Sequence, residues 1–330
     1  MSGHQKYSST MYLYAITGAL VATLMVGYAF ARNDVVSDLA PRFLAEVRRP
    51  PATGAEARRP ALALVLGGGG LRGFAHIGIV RALEEAGIKP DIVVGTSAGA
   101  VVGAAYASGM THAQIAAAAS SVKLPSLFDL TLSSGGIMRG NNIAQWIDTI
   151  TAGVPIERFP LRFGAVATDL QTAQAVLLDR GAAGRAVQAS TAVPGVTVPV
   201  SYQNGHLIDG GVTSLVPVRF ARAMGADLVI AVDVYCEGAR SNARHAPAVI
   251  SQVMHIQSCL IAKAEMAEAD VLIAPAVSIS GMSAKDEQAA AIQAGYEAAR
   301  AALPGILAQA GAPHLSAQPA VRRAPAALGG

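Results

Sequence analysis

The stretch Ala61-Leu62-Ala63-Leu64-Val65-Leu66, followed at once by Gly67-Gly68-Gly69-Gly70-Leu71-Arg72-Gly73, decides the fold. Six apolar residues without polar alternation read as a strand covered on both faces, the mark of a parallel sheet flanked by helices. The glycines leave a run of backbone amides that no side chain blocks. A helix is expected directly after them, over 75–86, with Ala75, Ile79, Val80 and Leu83 on one face and Gly87 as its stop. The pattern then repeats. Ile92-Val93-Val94 is a second buried strand, and Gly95-Thr96-Ser97-Ala98-Gly99 fits Gly-x-Ser-x-Gly, in which a serine sits on a tight strand-to-helix turn.

Further strands are expected over 163–168, 175–178, 228–232 and 271–274, the second of these antiparallel or at an edge. Asn204-Gly205 predicts a hairpin between 198–202 and 206–209. Helices are expected over 98–108, 111–120, 141–150, 185–191, 218–224, 250–269 and 285–303, the last closed by Pro304-Gly305. Strands alternating with helices give an α/β fold with a mainly parallel central sheet and helices on both faces.

Composition sets the outer bounds. The chain has 330 residues, 52% apolar and 14% charged, enough for one large core and unlike a disordered chain. A net charge of +3 without lysine blocks gives no argument for nucleic acid. The two cysteines, Cys236 and Cys259, show no metal spacing, and a disulfide between them is not expected. No cofactor and no specific protein partner can be inferred.

The N-terminus carries more. Residues 7–31 hold no charge, and 11–30 is long enough to span a bilayer. Arg32, Arg42, Arg48 and Arg49 follow, so the positive-inside rule leaves the body in the cytoplasm behind a single anchor. The competing reading is a cleaved signal ending at Ala29-Phe30-Ala31, which would put the body in the periplasm or outside. The expected division is an anchor or signal over 1–31, an Arg/Ala/Pro-rich linker over 32–60, a catalytic domain over 61–304 and a disordered tail over 305–330.

Ser97 as nucleophile needs a base and an oxyanion site. The histidines after it, His112, His206, His245, His255 and His314, stand in no segment that marks a catalytic loop. The alternative base is Asp209, in Asp209-Gly210-Gly211, just past an expected strand. The amides of Gly68, Gly69 and Gly70 can stabilise an oxyanion, with the start of the next helix adding partial positive charge. Arg72 reads either as an ion-pair partner at the helix start or as an aid to that loop. Taken alone, Gly68-x-Gly70-x-x-Gly73 also fits a dinucleotide fingerprint, with Asp91 at about the right distance for a ribose. That reading leaves the serine elbow unexplained.

In this order the residues resemble the patatin-like phospholipases, in the bacterial branch related to the catalytic domain of neuropathy target esterase. The resemblance runs from about residue 61 to 303. It rests on the glycine loop at 67–73, on Gly95-Thr96-Ser97-Ala98-Gly99 and on Asp209-Gly210-Gly211. Three further stretches support it: Ala167-Thr168-Asp169-Leu170, Ala189-Ser190-Thr191-Ala192-Val193-Pro194-Gly195 and Ala231-Val232-Asp233-Val234. It implies a three-layer α/β/α fold and a Ser97–Asp209 dyad without histidine, supported by Gly95, Gly99, Gly210 and Gly211. The implied chemistry is an acyl-serine intermediate on lipid esters, with no metal. At Val196-Thr197-Val198-Pro199 the family more often has an aromatic residue. An acyltransferase with the same acyl-serine, and a non-catalytic lipid-binding protein, remain as alternatives. Leu124, Leu127, Phe128, Leu130 and Leu132 in the irregular stretch 123–140 read either as a lid or interfacial patch or as packing under a loop.

Overall fold

The two apolar runs become adjacent parallel strands at the centre of one sheet. The computed structural model describes residues 38–48, 60–238 and 244–310. Its strands are β1 (Arg42–Phe43), β2 (Leu62–Leu66), β3 (Ile92–Thr96), β4 (Leu130–Ser133), β5 (Gly136–Met138), β6 (Arg162–Asp169), β7 (Gln174–Leu178), β8 (Val200–Tyr202), β9 (Gly205–Asp209), β10 (Leu228–Val232) and β11 (Val271–Ile273). Its α-helices are α1 (Phe74–Glu85), α2 (Ala98–Ala107), α3 (His112–Ser121), α4 (Asn141–Ile150), α5 (Ala183–Ser190), α6 (Val218–Ala223), α7 (Ala246–Met266) and α8 (Lys285–Ala310).

The main sheet runs β1-β7-β6-β3-β2-β10-β11. From β6 to β11 the neighbours are parallel, whereas β7 and β1 are added antiparallel at one side. Along β2 the side chains alternate between two apolar layers. Leu62, Leu64 and Leu66 join the layer of α1, α2 and α8, whereas Ala63 and Val65 join that of α6 and α7. Both layers exclude water, which is why β2, β3 and β10 are buried at every position.

The eight-residue β6 does a second job. Its residues Arg162–Val166 pair in parallel with β3, and Ala167, Thr168 and Asp169 pair antiparallel with β9 on the same side. The strand carrying the serine elbow and the hairpin strand ending in Asp209 therefore approach each other head-on along one partner. The hairpin of β8 and β9 forms as Asn204-Gly205 predicts.

Several expectations need correction. The apolar stretch 11–30 lies outside the described residues, and among the described residues no helix is long and apolar enough to cross a membrane. The two long helices are interrupted by polar side chains, with Lys285, Asp286, Glu287, Glu297 and Arg300 along α8 and Ser251, Gln252, His255 and Gln257 along α7. The localisation expected behind a single N-terminal anchor is corrected to this extent: no described helix supplies the membrane span.

Within the expected linker, residues 38–48 dock on the sheet instead. β1 pairs with β7, Arg42 forms an ion pair with Asp179, and Leu39 and Val47 are buried. Pairing there covers what would otherwise be an open strand edge. Pro304 does not end the last helix but sits inside α8, which runs to Ala310. An interior proline costs ~3 kcal/mol in an open helix, and full burial of Ile306 two residues on returns a comparable amount. Residues 311–330 of the expected tail lie outside the described residues. Cys236 and Cys259 are joined, with Cα atoms 5.6 Å apart, because α7 folds back beside the end of β10.

Helices α1 and α8 touch backbone to backbone. A Cβ on Gly78 would lie 1.8 Å from the carbonyl oxygen of Ile292, and one on Gly295 would lie 2.0 Å from that of Ala75. Gly78→Ala is therefore expected to lower the unfolding free energy by about 1–3 kcal/mol or more in urea titration. Gly305→Ala, also in α8 but facing open space, is expected to raise it by about 0.5–1 kcal/mol.

Candidate active site

Ser97 lies between the last residue of β3 and the first of α2, with φ 52° and ψ −120°. A non-glycine residue held at positive φ costs roughly 1–3 kcal/mol and persists only where its surroundings over-determine it. Two observations show how that is done. A Cβ on Gly95 would lie 2.4 Å from the Gly99 oxygen, and one on Gly99 would lie 2.0 Å from the Leu66 oxygen, so the turn closes only with glycine at both places. The Ser97 amide donates to Ser190 Oγ at 2.9 Å, and that hydroxyl donates to the carbonyl of Val166 at 2.6 Å. Ser190 thus ties the elbow to β6. The sequence placed Ser190 in a family-like stretch but gave no sign of this role.

Asp209 closes β9. One carboxylate oxygen, Oδ2, accepts from Ser97 Oγ at 2.7 Å, and Oδ1 accepts from the Gly211 amide at 2.7 Å. Its own amide donates to Ala192 and its carbonyl accepts from Thr168 Oγ1. Gly210 passes so close to β6 that a Cβ would lie 2.2 Å from the Val166 oxygen. Burial pushes the Asp209 carboxyl up to about 6, opposed by the hydrogen bonds from Ser97 and Gly211, which pull it down.

The glycine loop lies at the C-terminal end of β2, beside the elbow. Its first two amides are engaged inside the fold, Gly67 to Val232 at 2.9 Å and Gly68 to Leu215 at 3.0 Å. Those of Gly69 and Gly70 donate to no carbonyl among the described residues. Gly68, expected among the oxyanion donors, is therefore a brace here. Arg72 also turns away from Ser97: its Nε donates to the Val277 carbonyl at 3.2 Å and its guanidinium lies over the Tyr235 ring. His76 supports the loop from below. Its Nε2 lies 2.9 Å from the Gly67 carbonyl oxygen, which can only accept, so the proton is on Nε2; burial lowers this imidazole to about 4.

The other candidates separate cleanly. His206 contacts Gln171, and His255 packs against Tyr235; neither ring meets Ser97. Asp91 accepts from the Leu62 amide at the opposite end of β2 from the glycines. A dinucleotide on the loop would have its ribose far from that carboxylate, so the fingerprint reading fails. Asp169 and Asp233 cap turns after their strands, binding the amides of Gln171 and Thr172 and of Tyr235 and Cys236 respectively.

Ser97 opens into a cavity of about 440 Å³ between α1, α2, α3 and α4. Apart from Ser97, Thr191, Thr197 and the indole nitrogen of Trp146, its walls are apolar, and no charged side chain lines it. Val196 and Thr197, at the departure from the family pattern, form part of one wall.

Residues 64–222 match the family model described as patatin-like phospholipase. An NTE family protein of Mycobacterium bovis is 38% identical over 177 residues, covering 53% of this chain and 49% of that protein. Lysophospholipase NTE1 of Coccidioides immitis is 37% identical over 180 residues, covering 53% of this chain and 11% of that protein. The chain thus spans about half the length, or less, of these curated relatives. The fold is shared with VipD from Legionella pneumophila at a TM-score of 0.52 and 15% identity, over 83% of this chain and 72% of that one. Residues 64–222, which hold the serine elbow and the Asp-Gly-Gly turn, thus match the patatin-like phospholipase family.

Proposed function

We propose that the protein is a serine hydrolase of fatty-acyl lipid esters, phospholipids or lysophospholipids, working through a Ser97–Asp209 dyad. The observation that carries this reading is the 2.7 Å hydrogen bond from Ser97 Oγ to Asp209 Oδ2 at the edge of an apolar cavity. The family and the relative named as a lysophospholipase support it. The catalytic unit runs from Ala61 through α8, with residues 38–48 as an added edge.

In this mechanism the acyl chain enters the cavity and the ester carbonyl lies over Ser97. Ser97 Oγ attacks the carbonyl carbon while its proton passes to Asp209. The amides of Gly69 and Gly70 receive the developing oxyanion, each such donor contributing ~2.7–4 kcal/mol in comparable enzymes. Asp209 returns the proton to the leaving alcohol, leaving an acyl-serine. Water, deprotonated by Asp209, then attacks the acyl carbon and Ser97 recovers its proton. A carboxyl raised to about 6 is a stronger base than an ordinary aspartate, which suits it to this task.

Ser97→Ala and Asp209→Ala are each expected to lower p-nitrophenyl-ester turnover by ~1,000-fold or more with the circular dichroism spectrum unchanged. His206→Ala and His255→Gln should keep fluorophosphonate labelling of Ser97; loss of labelling in either would require a histidine base.

The charge on Asp209 also sets the pH dependence. The base must be ionised, so kcat/KM should fall about tenfold per pH unit below pH 6 and level off above it. The sign for stability is opposite. A folded carboxyl at about 6 holds its proton where the unfolded one, near 3.8, has lost it, so stability falls as pH rises through that window. About two units correspond to roughly 3 kcal/mol of strain at pH 7. Asp209→Asn should therefore be inactive yet about 1–3 kcal/mol more stable than wild type at pH 7, with the gain shrinking at pH 4. Urea titrations at both values measure it.

A further inference from the structure

The mouth of the cavity is rimmed by apolar side chains that the fold leaves facing solvent. Phe128, Val193 and Val196 both line the cavity and are exposed. Beyond them lies the hairpin of β4 and β5, a two-stranded sheet separate from the main one. It carries Leu130, 80% exposed, and Ile137, 58% exposed, neither of which lines the cavity.

The hairpin is fixed through its backbone. The amides of Ile137 and Met138 donate to the Val196 carbonyl at 2.9 and 3.0 Å, and the Val198 amide donates to Met138 at 2.8 Å. Its outward side chains therefore add nothing to the core, although a two-stranded ribbon alone is marginal in water. Exposed apolar groups held rigidly beside an apolar cavity mark a surface that meets something apolar.

The charges around them narrow the occupant. Among residues 122–140 the ionisable side chains are Lys123, Asp129 and Arg139. The Asp129 carboxylate accepts from the amides of Gly140 and Asn141 at the start of α4, at 2.6 and 2.9 Å. Lys123 and Arg139 are exposed. Apolar side chains flanked by cations suit an anionic lipid surface, where the former enter the acyl boundary and the latter stay among headgroups. They suit a second copy poorly, since a two-fold interface sets each patch against itself and brings like charges together.

We propose that the β4–β5 hairpin, with Phe128, Val193 and Val196 behind it, seats the cavity mouth on the surface of an anionic lipid aggregate. An acyl chain then passes from the lipid into the cavity without crossing water. The proposal rests on the reading of the cavity as an acyl site.

The test uses the full chain and two substrates: an ester-bearing lipid in phosphatidylglycerol vesicles, and a short, water-soluble p-nitrophenyl ester. The double variant Leu130→Ser/Ile137→Ser is expected to lose ~10-fold or more of the vesicle rate while its soluble-ester rate stays within about twofold of wild type. Lys123→Gln/Arg139→Gln should lose rate on phosphatidylglycerol vesicles and not on phosphatidylcholine vesicles. A reading independent of turnover comes from Leu130→Trp in a Ser97→Ala background, whose new indole should be quenched by vesicles containing brominated lipid. If wild type hydrolyses neither ester, the functional reading fails, and the quenching still decides the docking. No quenching at position 130, an unchanged vesicle rate, equal losses on both substrates, or a lipid-free dimer that the double variant dissociates would each overturn the proposal.

Discussion

Everything at the site depends on one strand holding two partners end to end. Val166 of β6 pairs with Thr96, the residue before the nucleophile, and Ala167, the next residue, pairs with Asp209. Residues more than a hundred positions apart are thus brought to adjacent positions on a single ladder, where the spacing is set by the ~3.3 Å rise of a strand. The hydroxyl and the carboxylate meet because two strand ends share this ruler. A slip of one residue on either side would turn the side chains to the opposite face and part them.

Around that ruler the fold holds two unfavourable groups. Ser97 has a backbone conformation that a serine does not choose, and Asp209 is a carboxylate in an apolar setting. Buried polar contacts on both sides keep them in place. Ser190 links the Ser97 amide to β6. Thr96 Oγ1 donates to the Ser214 carbonyl, and the Ser214 hydroxyl donates to Glu265, which is paired with Arg219 at 2.7 Å. This second chain runs through the layer opposite the cavity, so the strand before the nucleophile is braced from behind. Rigidity here limits the reorganisation needed when charge develops, the condition under which oxyanion donors are most effective.

Much of this could be read from the sequence because the decisive signals are local. The unbroken apolar run of β2, the glycines around Ser97 and Asn204-Gly205 each act within a few residues of themselves. What escaped was set by distant partners. Gly68 is an amide donor by sequence, and only its bond to Leu215 removes it from the candidate donors. The short β1 has no strand-like pattern of its own and exists through pairing with β7. Pro304 would end an isolated helix, but buried Ile306 carries α8 onward. Ser190 resembles any other small polar residue until Val166 and Ser97 are both beside it. The hairpin of β4 and β5 joins the rest of the fold through Val196, nearly sixty positions on, beyond the reach of a local pattern.

The bond between Cys236 and Cys259 spans 23 residues and joins the turn after β10 to the middle of α7. That turn also carries Val234, against which Gly69 packs, and Tyr235, beneath the guanidinium of Arg72. A peptide bond hydrolysed anywhere between the two sulfurs would leave two fragments still covalently joined beside the glycine loop. Gel mobility without a reductant would then report an uncut chain, and only thiol treatment would release the C-terminal piece.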